Sequence, residues 1–97
     1  MNMLRRINNK SVGGQDFTVT VVNVHQVQYS QDGKTAILEI EGESSKSGHI
    51  DWVVYAQTLK GWLPPHESEE LSDTQRTHIV DKIGESLFLL EMPNKII

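Results

Sequence analysis

Histidine and carboxylate side chains are the residues of this 97-residue chain that could bind a metal ion or perform acid–base chemistry. The histidines are scattered and form neither an HxH pair nor an HExxH motif. The chain has no cysteine, which excludes disulfides, thiolate nucleophiles and Cys-based metal sites. We therefore expect no bound metal and no other cofactor. The four histidines are His25, His49, His66 and His78.

Motifs for covalent catalysis are also missing from the sequence. There is no GxSxG or SxxK motif, and Gly13-Gly14 lacks the flanking strand and helix of a phosphate-binding loop. His66 and Glu67 could form an acid–base pair, but adjacent residues beside two prolines indicate this only weakly. We therefore expect no catalytic residue and a protein that is not an enzyme. A small hydrolase or a metal enzyme remains an alternative.

Acidic residues form the pattern with the most functional content. Glu39, Glu41 and Glu43 alternate along one predicted strand, which places their carboxylates about 7 Å apart on one face. Asp51 and Tyr55 fall on the corresponding face of the next strand. Like charges at this spacing repel by only about 0.6 kcal/mol in water. This face is either a plain solvated surface or a binding surface for a cationic partner.

A second acidic group precedes the predicted C-terminal helix. Carboxylates near a helix N-terminus are stabilised by the helix dipole, so a structural role explains this group without a partner. We keep its glutamates as a second candidate for partner binding. The group consists of Glu67, Glu69, Glu70 and Asp73.

Composition limits the class of partner. The formal net charge is −4 and the pI is about 5.4, whereas binding to a phosphate backbone requires a positive surface. No segment has the length and hydrophobicity of a membrane span, and no secretory signal is recognisable. We expect a cytoplasmic protein that binds another protein, without nucleic acid or membrane, as a monomer or homodimer.

Strand signals dominate the first half of the chain. Residues 1–16 predict a loose N-terminal arm or an irregular strand. The β-branched run Phe17–Val24 predicts a long first strand that continues to Tyr29 after a bulge near His25. Asp32-Gly33 predicts a hairpin into a second strand, Thr35–Glu43. The core face of this strand consists of Ala36, Leu38 and Ile40.

The second half predicts one more strand, a connector and a helix. His49–Ala56 is the third strand, and Gln57–Glu70 is a stiff connector because Pro64-Pro65 disfavours regular structure. Trp62 in this connector is either a buried clamp or an exposed anchor. Ser72-Asp73-Thr74-Gln75 matches a capping box at the start of the helix.

The end of the helix is less regular. Phe88 and Leu89 fall off the apolar stripe of the helix, and the tail to Ile97 can return as a short strand. The stripe consists of Ile79, Val80, Ile83 and Leu87. Gly84 in mid-helix fits a close approach of the backbone to the sheet. The fold class is α+β, an antiparallel β-meander of three to five strands packed against one C-terminal helix, in a single domain over residues 1–97.

The C-terminal half resembles the polymorphic-toxin immunity proteins of family 74, which include immunity proteins of contact-dependent growth inhibition. The similarity lies in the order of an aromatic strand end, a Trp-x-Pro-Pro connector, an acidic loop and a closing helix. These features occupy Val53–Tyr55, Leu59–Glu67, Leu71–Asp73 and Ile79–Ile83.

The resemblance implies a bacterial cytoplasmic protein, encoded beside a secreted or contact-delivered toxin, that neutralises this toxin in a tight complex. A nuclease is one candidate for the toxin. It implies no cofactor and no catalysis, and it assigns no toxin-binding residues. The alternative is a structural or accessory subunit of a bacterial or phage assembly, in which an exposed strand edge drives self-association.

Overall fold

A computed structural model describes residues 4–97 of the protein. Within this range the chain forms seven strands, a short 3₁₀ turn at Ala56–Thr58 and one long helix. The elements are β1 (Arg5–Arg6), β2 (Ser11–Gly13), β3 (Phe17–Asn23), β4 (Gln26–Gln31), β5 (Lys34–Ser44), β6 (Ile50–Tyr55), α1 (Asp73–Leu89) and β7 (Asn94–Ile96).

The strands follow one another across a single sheet in chain order. The pairs from β1–β2 to β5–β6 are antiparallel, and β6–β7 is parallel. The α+β class is confirmed, but the prediction of three to five antiparallel strands is wrong in number and in the last pairing. The parallel pair arises because α1 crosses the sheet between β6 and β7, and such a crossover returns the chain in the same direction.

The predicted long first strand is two strands. The chain turns back after Asn23, and Gln26 pairs with Asn23 across the β3–β4 hairpin. The Asn23 side chain makes this turn, because its Oδ1 accepts a hydrogen bond of 2.8 Å from the His25 N–H. The predicted irregularity near His25 is therefore a hairpin turn, accompanied by a register shift between Val21 and Asn23.

The described part of the N-terminal segment contains two short strands, which is closer to the predicted irregular strand than to a loose arm. In its described part, residues 4–16, β1 and β2 form a short hairpin that extends the sheet beyond β3; residues 1–3 of the predicted arm lie outside the described residues. Gly14 allows the chain to pass against the ring of Phe17, where a Cβ atom would overlap the aromatic carbons. Gly14 thus has a packing role.

One face of the sheet carries the core. The predicted core residues of the second strand, Ala36, Leu38 and Ile40, are buried and pack with α1. On the core face of β6, Val54 is buried and Trp52 is partly buried. The residues that α1 contributes are Ile79, Val80, Ile83 and Leu87, which confirms the predicted apolar stripe of the helix.

Helix α1 begins with the predicted capping box. The Ser72 Oγ accepts from the Gln75 N–H at 3.1 Å, and the Gln75 Oε1 accepts from the Ser72 N–H at 2.9 Å. The predicted close approach of Gly84 to the sheet is also present, and the strand that it approaches is β7. A Cβ atom on Gly84 would lie 3.2 Å from the Ile96 Cδ1. The Asn94 Nδ2 donates to the Gly84 carbonyl at 3.1 Å.

The connector is clamped onto the sheet, as one interpretation of Trp62 predicts. Trp62 is only 8% exposed, and its ring centroid lies 6.3 Å from that of Tyr29. The Leu63 N–H donates to the Thr35 carbonyl at 2.7 Å. Arg76 of α1 donates to the carbonyl oxygen of Leu59, so both ends of this stretch are tied down.

Candidate functional site

The acidic residues of β5 and β6 lie together on the sheet face opposite α1. Glu39 is paired with Tyr55, and Glu43 is paired with Asp51. Alternate residues of paired strands share a face, so Glu41 lies between these two pairs. The four carboxylates are exposed. We call these five residues, Glu39, Glu41, Glu43, Asp51 and Tyr55, the acidic stripe.

Tyr55 is coupled to the glutamates of the acidic stripe. Partial burial, the negative charges of Glu41 and Glu43 and a hydrogen bond with Glu41 together raise the pKa of the Tyr55 phenol. Tyr55 therefore remains protonated at neutral pH and supplies a hydrogen-bond donor among acceptors. The stripe can bind cationic groups through its carboxylates and stack an aliphatic stem on the tyrosine ring.

Two features of this face were not predicted. Lys95 of β7 is paired with Val53, and its Nζ lies 4.0 Å from the Glu43 Oε2, so it offsets part of the negative charge. Val53 points to the same face and is nevertheless buried among its neighbours. The parallel pairing of β7 brings Lys95 here, and only a correct prediction of that pairing could have placed it.

The connector glutamates lie elsewhere. Glu69 forms a 2.7 Å ion pair with Lys34 and a 3.2 Å contact with the His66 Nδ1. The hydrogen bond from Lys34 is the largest of the contributions that lower the pKa of Glu69. Lys34 begins β5, whereas Glu39 is about 17 Å and Glu43 about 30 Å further along this strand. The structure therefore does not bring the two predicted acidic groups together.

The remaining members of the second acidic group lie on the surface. Glu67 and Glu70 are exposed in the connector, and Asp73 is the first residue of α1, where a carboxylate stabilises the helix. Glu69 links the connector to the sheet through Lys34. The geometry accounts for Glu69 and Asp73 in structural terms.

No group of three or more His, Cys, Asp or Glu residues within residues 4–97 could hold a metal ion. His25, His49 and His78 are exposed, and His66 contacts Glu69 rather than the neighbouring Glu67. No helix in this range has the length and hydrophobicity required to span a membrane.

An exposed acidic sheet face is electrostatically complementary to a basic surface of another protein. The family described as Immunity protein 74 matches residues 18–88, and the chain belongs to this family. It is thus an immunity protein of a toxin system. The match confirms the resemblance of the C-terminal half and extends it to β3, β4 and β5. No curated protein and no solved structure is similar enough to the chain to count as a match.

Proposed function

We propose that the protein neutralises its cognate toxin by binding alone, with the acidic stripe covering a basic surface of the toxin domain. The observation that supports this proposal is the β5–β6 register, which sets Asp51 opposite Glu43 and Tyr55 opposite Glu39. Four carboxylates and one phenol on an uncovered face form a compact patch. Such a patch is complementary to clustered lysine and arginine side chains.

The net negative charge of the chain should speed its association with a basic toxin. A net charge of −4 attracts a basic toxin over a distance of about one Debye length, roughly 8 Å at physiological salt. Steering of this kind raises the association rate constant more than it slows dissociation. An immunity protein benefits directly, because the toxin must be bound before it reaches its target.

The toxin that suits this surface best is a nuclease. A nuclease active site must attract phosphate groups, so it presents lysine or arginine side chains. An acidic protein face competes for the same groups. In this proposal the protein acts in the bacterial cytoplasm, where a toxin delivered by a neighbouring cell would meet its substrate. Its action requires no cofactor.

The test compares two double variants that change the net charge equally. Glu39→Lys with Glu41→Lys reverses two neighbouring charges of the acidic stripe. Glu67→Lys with Glu70→Lys reverses two exposed charges of the distant connector. Calorimetric titration with the toxin domain encoded by the adjoining gene measures affinity. Survival of cells that express this toxin measures protection.

The stripe variant should bind at least about a hundredfold more weakly and should lose protection, whereas the connector variant should retain both. Equal weakening by both variants would mean that net charge, rather than the stripe, governs the interaction. No binding of the toxin by the unaltered chain would disprove the proposed function itself.

A further inference from the structure

Strand β7 leaves one edge of the sheet uncovered. The Ile97 N–H donates to the Val54 carbonyl, and the Ala56 N–H donates to the Ile97 carbonyl, both at 3.0 Å. Because hydrogen-bonding direction alternates along a strand, the main-chain groups of Asn94 and Ile96 point away from β6. Within residues 4–97, no residue forms a hydrogen bond with these outward main-chain groups.

A groove lies at the Ile96 end of this edge, between the first half of α1 and the 3₁₀ turn at Ala56–Thr58. It has a cavity volume of about 600 Å³. Val80 and Ala56 contribute apolar surface to it, and Ile96, which is 43% exposed, forms its rim. A segment that hydrogen-bonds to the edge would also place side chains in this groove.

The flank of α1 next to β7 adds an exposed aromatic ring. Gly84 contacts β7, and Phe88 lies four residues further, on the same side of the helix. Phe88 is 58% exposed. Together with Ile96 it gives the edge an apolar border that no described part of the chain covers.

The charged residues that line the groove, Asp73, Asp81 and Arg76, give it a net charge of −1, which favours a cationic occupant. Arg76 lines the groove, but its guanidinium is held by the carbonyl oxygens of Leu59 and Lys60. The other charged residues of the lining are Asp73 and Asp81, which are both exposed. Lysine or arginine side chains would find two carboxylates beside an apolar surface.

We infer that the β7 edge binds an extended segment of the toxin as an eighth strand of the sheet. The segment pairs with Asn94 and Ile96, sets an apolar side chain against Ile96 and Phe88, and directs a lysine or arginine toward Asp81. The inference rests on the proposed function, since it specifies how the same partner is held. It adds a main-chain interaction to the charge interaction of the acidic stripe.

A single toxin domain can reach both surfaces. Lys95 of β7 lies within 4.0 Å of Glu43, so the edge and the acidic stripe are contiguous. A second copy of this chain fits the edge less well. Symmetric antiparallel pairing through Asn94 and Ile96 would set the Lys95 side chains of the two copies opposite each other, and like charges at that position are unfavourable.

Residue-resolved amide hydrogen exchange tests the inference directly. The full chain is measured free and with the toxin domain encoded by the adjoining gene. In the free chain the Asn94 and Ile96 amides should exchange rapidly, while the Ile97 amide is already protected by Val54. In the complex the first two amides should slow by at least about tenfold, because they become hydrogen-bonded.

Matched variants give an independent measurement of affinity. Ile96→Pro removes the outward N–H but retains the inward bonds of its neighbours, and Ile96→Ala removes the side chain alone. The proline variant should bind about tenfold more weakly than the alanine variant, the value of one lost hydrogen bond. Phe88→Ser should weaken binding, whereas Leu89→Ser, on another side of the helix and 40% exposed, should not.

The outcomes separate the two proposals. Suppose that the toxin binds without slowing exchange at Asn94 and Ile96 and with equal affinity for the two Ile96 variants. That result would overturn strand pairing at the β7 edge and leave the proposed function intact. No toxin binding overturns both. The Asn94 and Ile96 amides could instead exchange slowly in the free chain, and more slowly as its concentration rises. This result would identify a second copy of the chain as the occupant of the edge and would overturn the inference of a toxin segment.

Discussion

Glu43 and Asp51 lie directly opposite each other across the β5–β6 pair. Like charges in this position destabilise an antiparallel pair by up to about 1 kcal/mol. Lys95, at 4.0 Å from Glu43, relieves only part of the repulsion because both side chains are largely exposed. A placement that weakens the free protein is most readily understood if a partner uses it, as the proposed toxin complex would.

Reversing one of these charges should therefore have opposite effects on folding and on binding. We expect Asp51→Lys to raise the free energy of unfolding by about 0.5 kcal/mol, because a cross-strand pair of opposite charges replaces a repulsive one. The same change should weaken toxin binding by about tenfold or more. Urea unfolding measures the first effect, and calorimetric titration with the toxin measures the second.

Asp51→Asn is the control for this prediction, since it removes the repulsion without adding a positive charge. Its free energy of unfolding and its affinity for the toxin should both lie between those of the unaltered protein and those of Asp51→Lys. A lysine variant that is both more stable and fully able to bind toxin would show that Asp51 lies outside the interface.

The elements that could be predicted from sequence are those with a local physical signal. Alternation along β5 identified its buried and acidic faces, and Ser72 with Gln75 identified the start of α1. The turn at Asn23 was missed because Val24-His25 contains no glycine or proline, so its only signal is the asparagine side chain. The parallel pairing of β7 was missed because a crossover depends on how α1 packs and not on any local pattern.

The candidate site shows the same division. The positions of Asp51 and Tyr55 beside the glutamates followed from strand alternation and a short turn, and the β5–β6 register confirms them. The separation of Glu69 from the stripe could not be predicted, because the ion pair with Lys34 spans 35 residues of sequence. Lys95 and the free edge beside Ile96 likewise depend on a long-range strand pairing.

The Gly13-Gly14 pair offers a matched test of packing in the N-terminal hairpin. Gly14→Ala should lower the free energy of unfolding by about 1 to 3 kcal/mol, because the new methyl group overlaps the Phe17 ring. That ring stacks on Tyr29 with centroids 5.4 Å apart and cannot easily move. Denaturant unfolding provides the measurement.

Gly13→Ala serves as the control for Gly14→Ala. Its methyl group would lie 3.1 Å from the Ile7 Cδ1, the end of a flexible and exposed side chain that can shift at little cost. We expect a change below about 1 kcal/mol. Equal destabilisation by both substitutions would contradict the role assigned to the Phe17 ring.

The capping box of α1 should behave as a coupled pair. Ser72→Ala should destabilise the protein by about 1 kcal/mol, because it leaves the Gln75 N–H without its 3.1 Å acceptor. Gln75→Ala should have a smaller effect, since the Ser72 N–H near the surface can bond to water. The double variant should lose less than the sum of the single variants, and strict additivity in urea unfolding would argue against reciprocal capping.

Tyr29 should make the protein less stable at alkaline pH. Burial, followed by the negative charges of Asp16 and Asp32, raises the pKa of Tyr29 from 10.0 to about 12. The stabilising contribution of the neutral phenol is fully present below pH 10 and is lost as the pH rises toward 12, since the unfolded chain ionises first. The total loss should be about 2 to 3 kcal/mol.

Two measurements check this dependence on Tyr29. The chain has two tyrosines, so tyrosinate absorbance of a Tyr55→Phe variant reports Tyr29 alone and should show ionisation near pH 12. Tyr29→Phe loses the 2.7 Å hydrogen bond to Gln31 and should be less stable at neutral pH. Its stability should then fall less steeply between pH 10 and 12 than that of the unaltered protein. If the free energy of unfolding falls equally steeply in the two proteins between pH 10 and 12, a group other than Tyr29 causes the loss of stability.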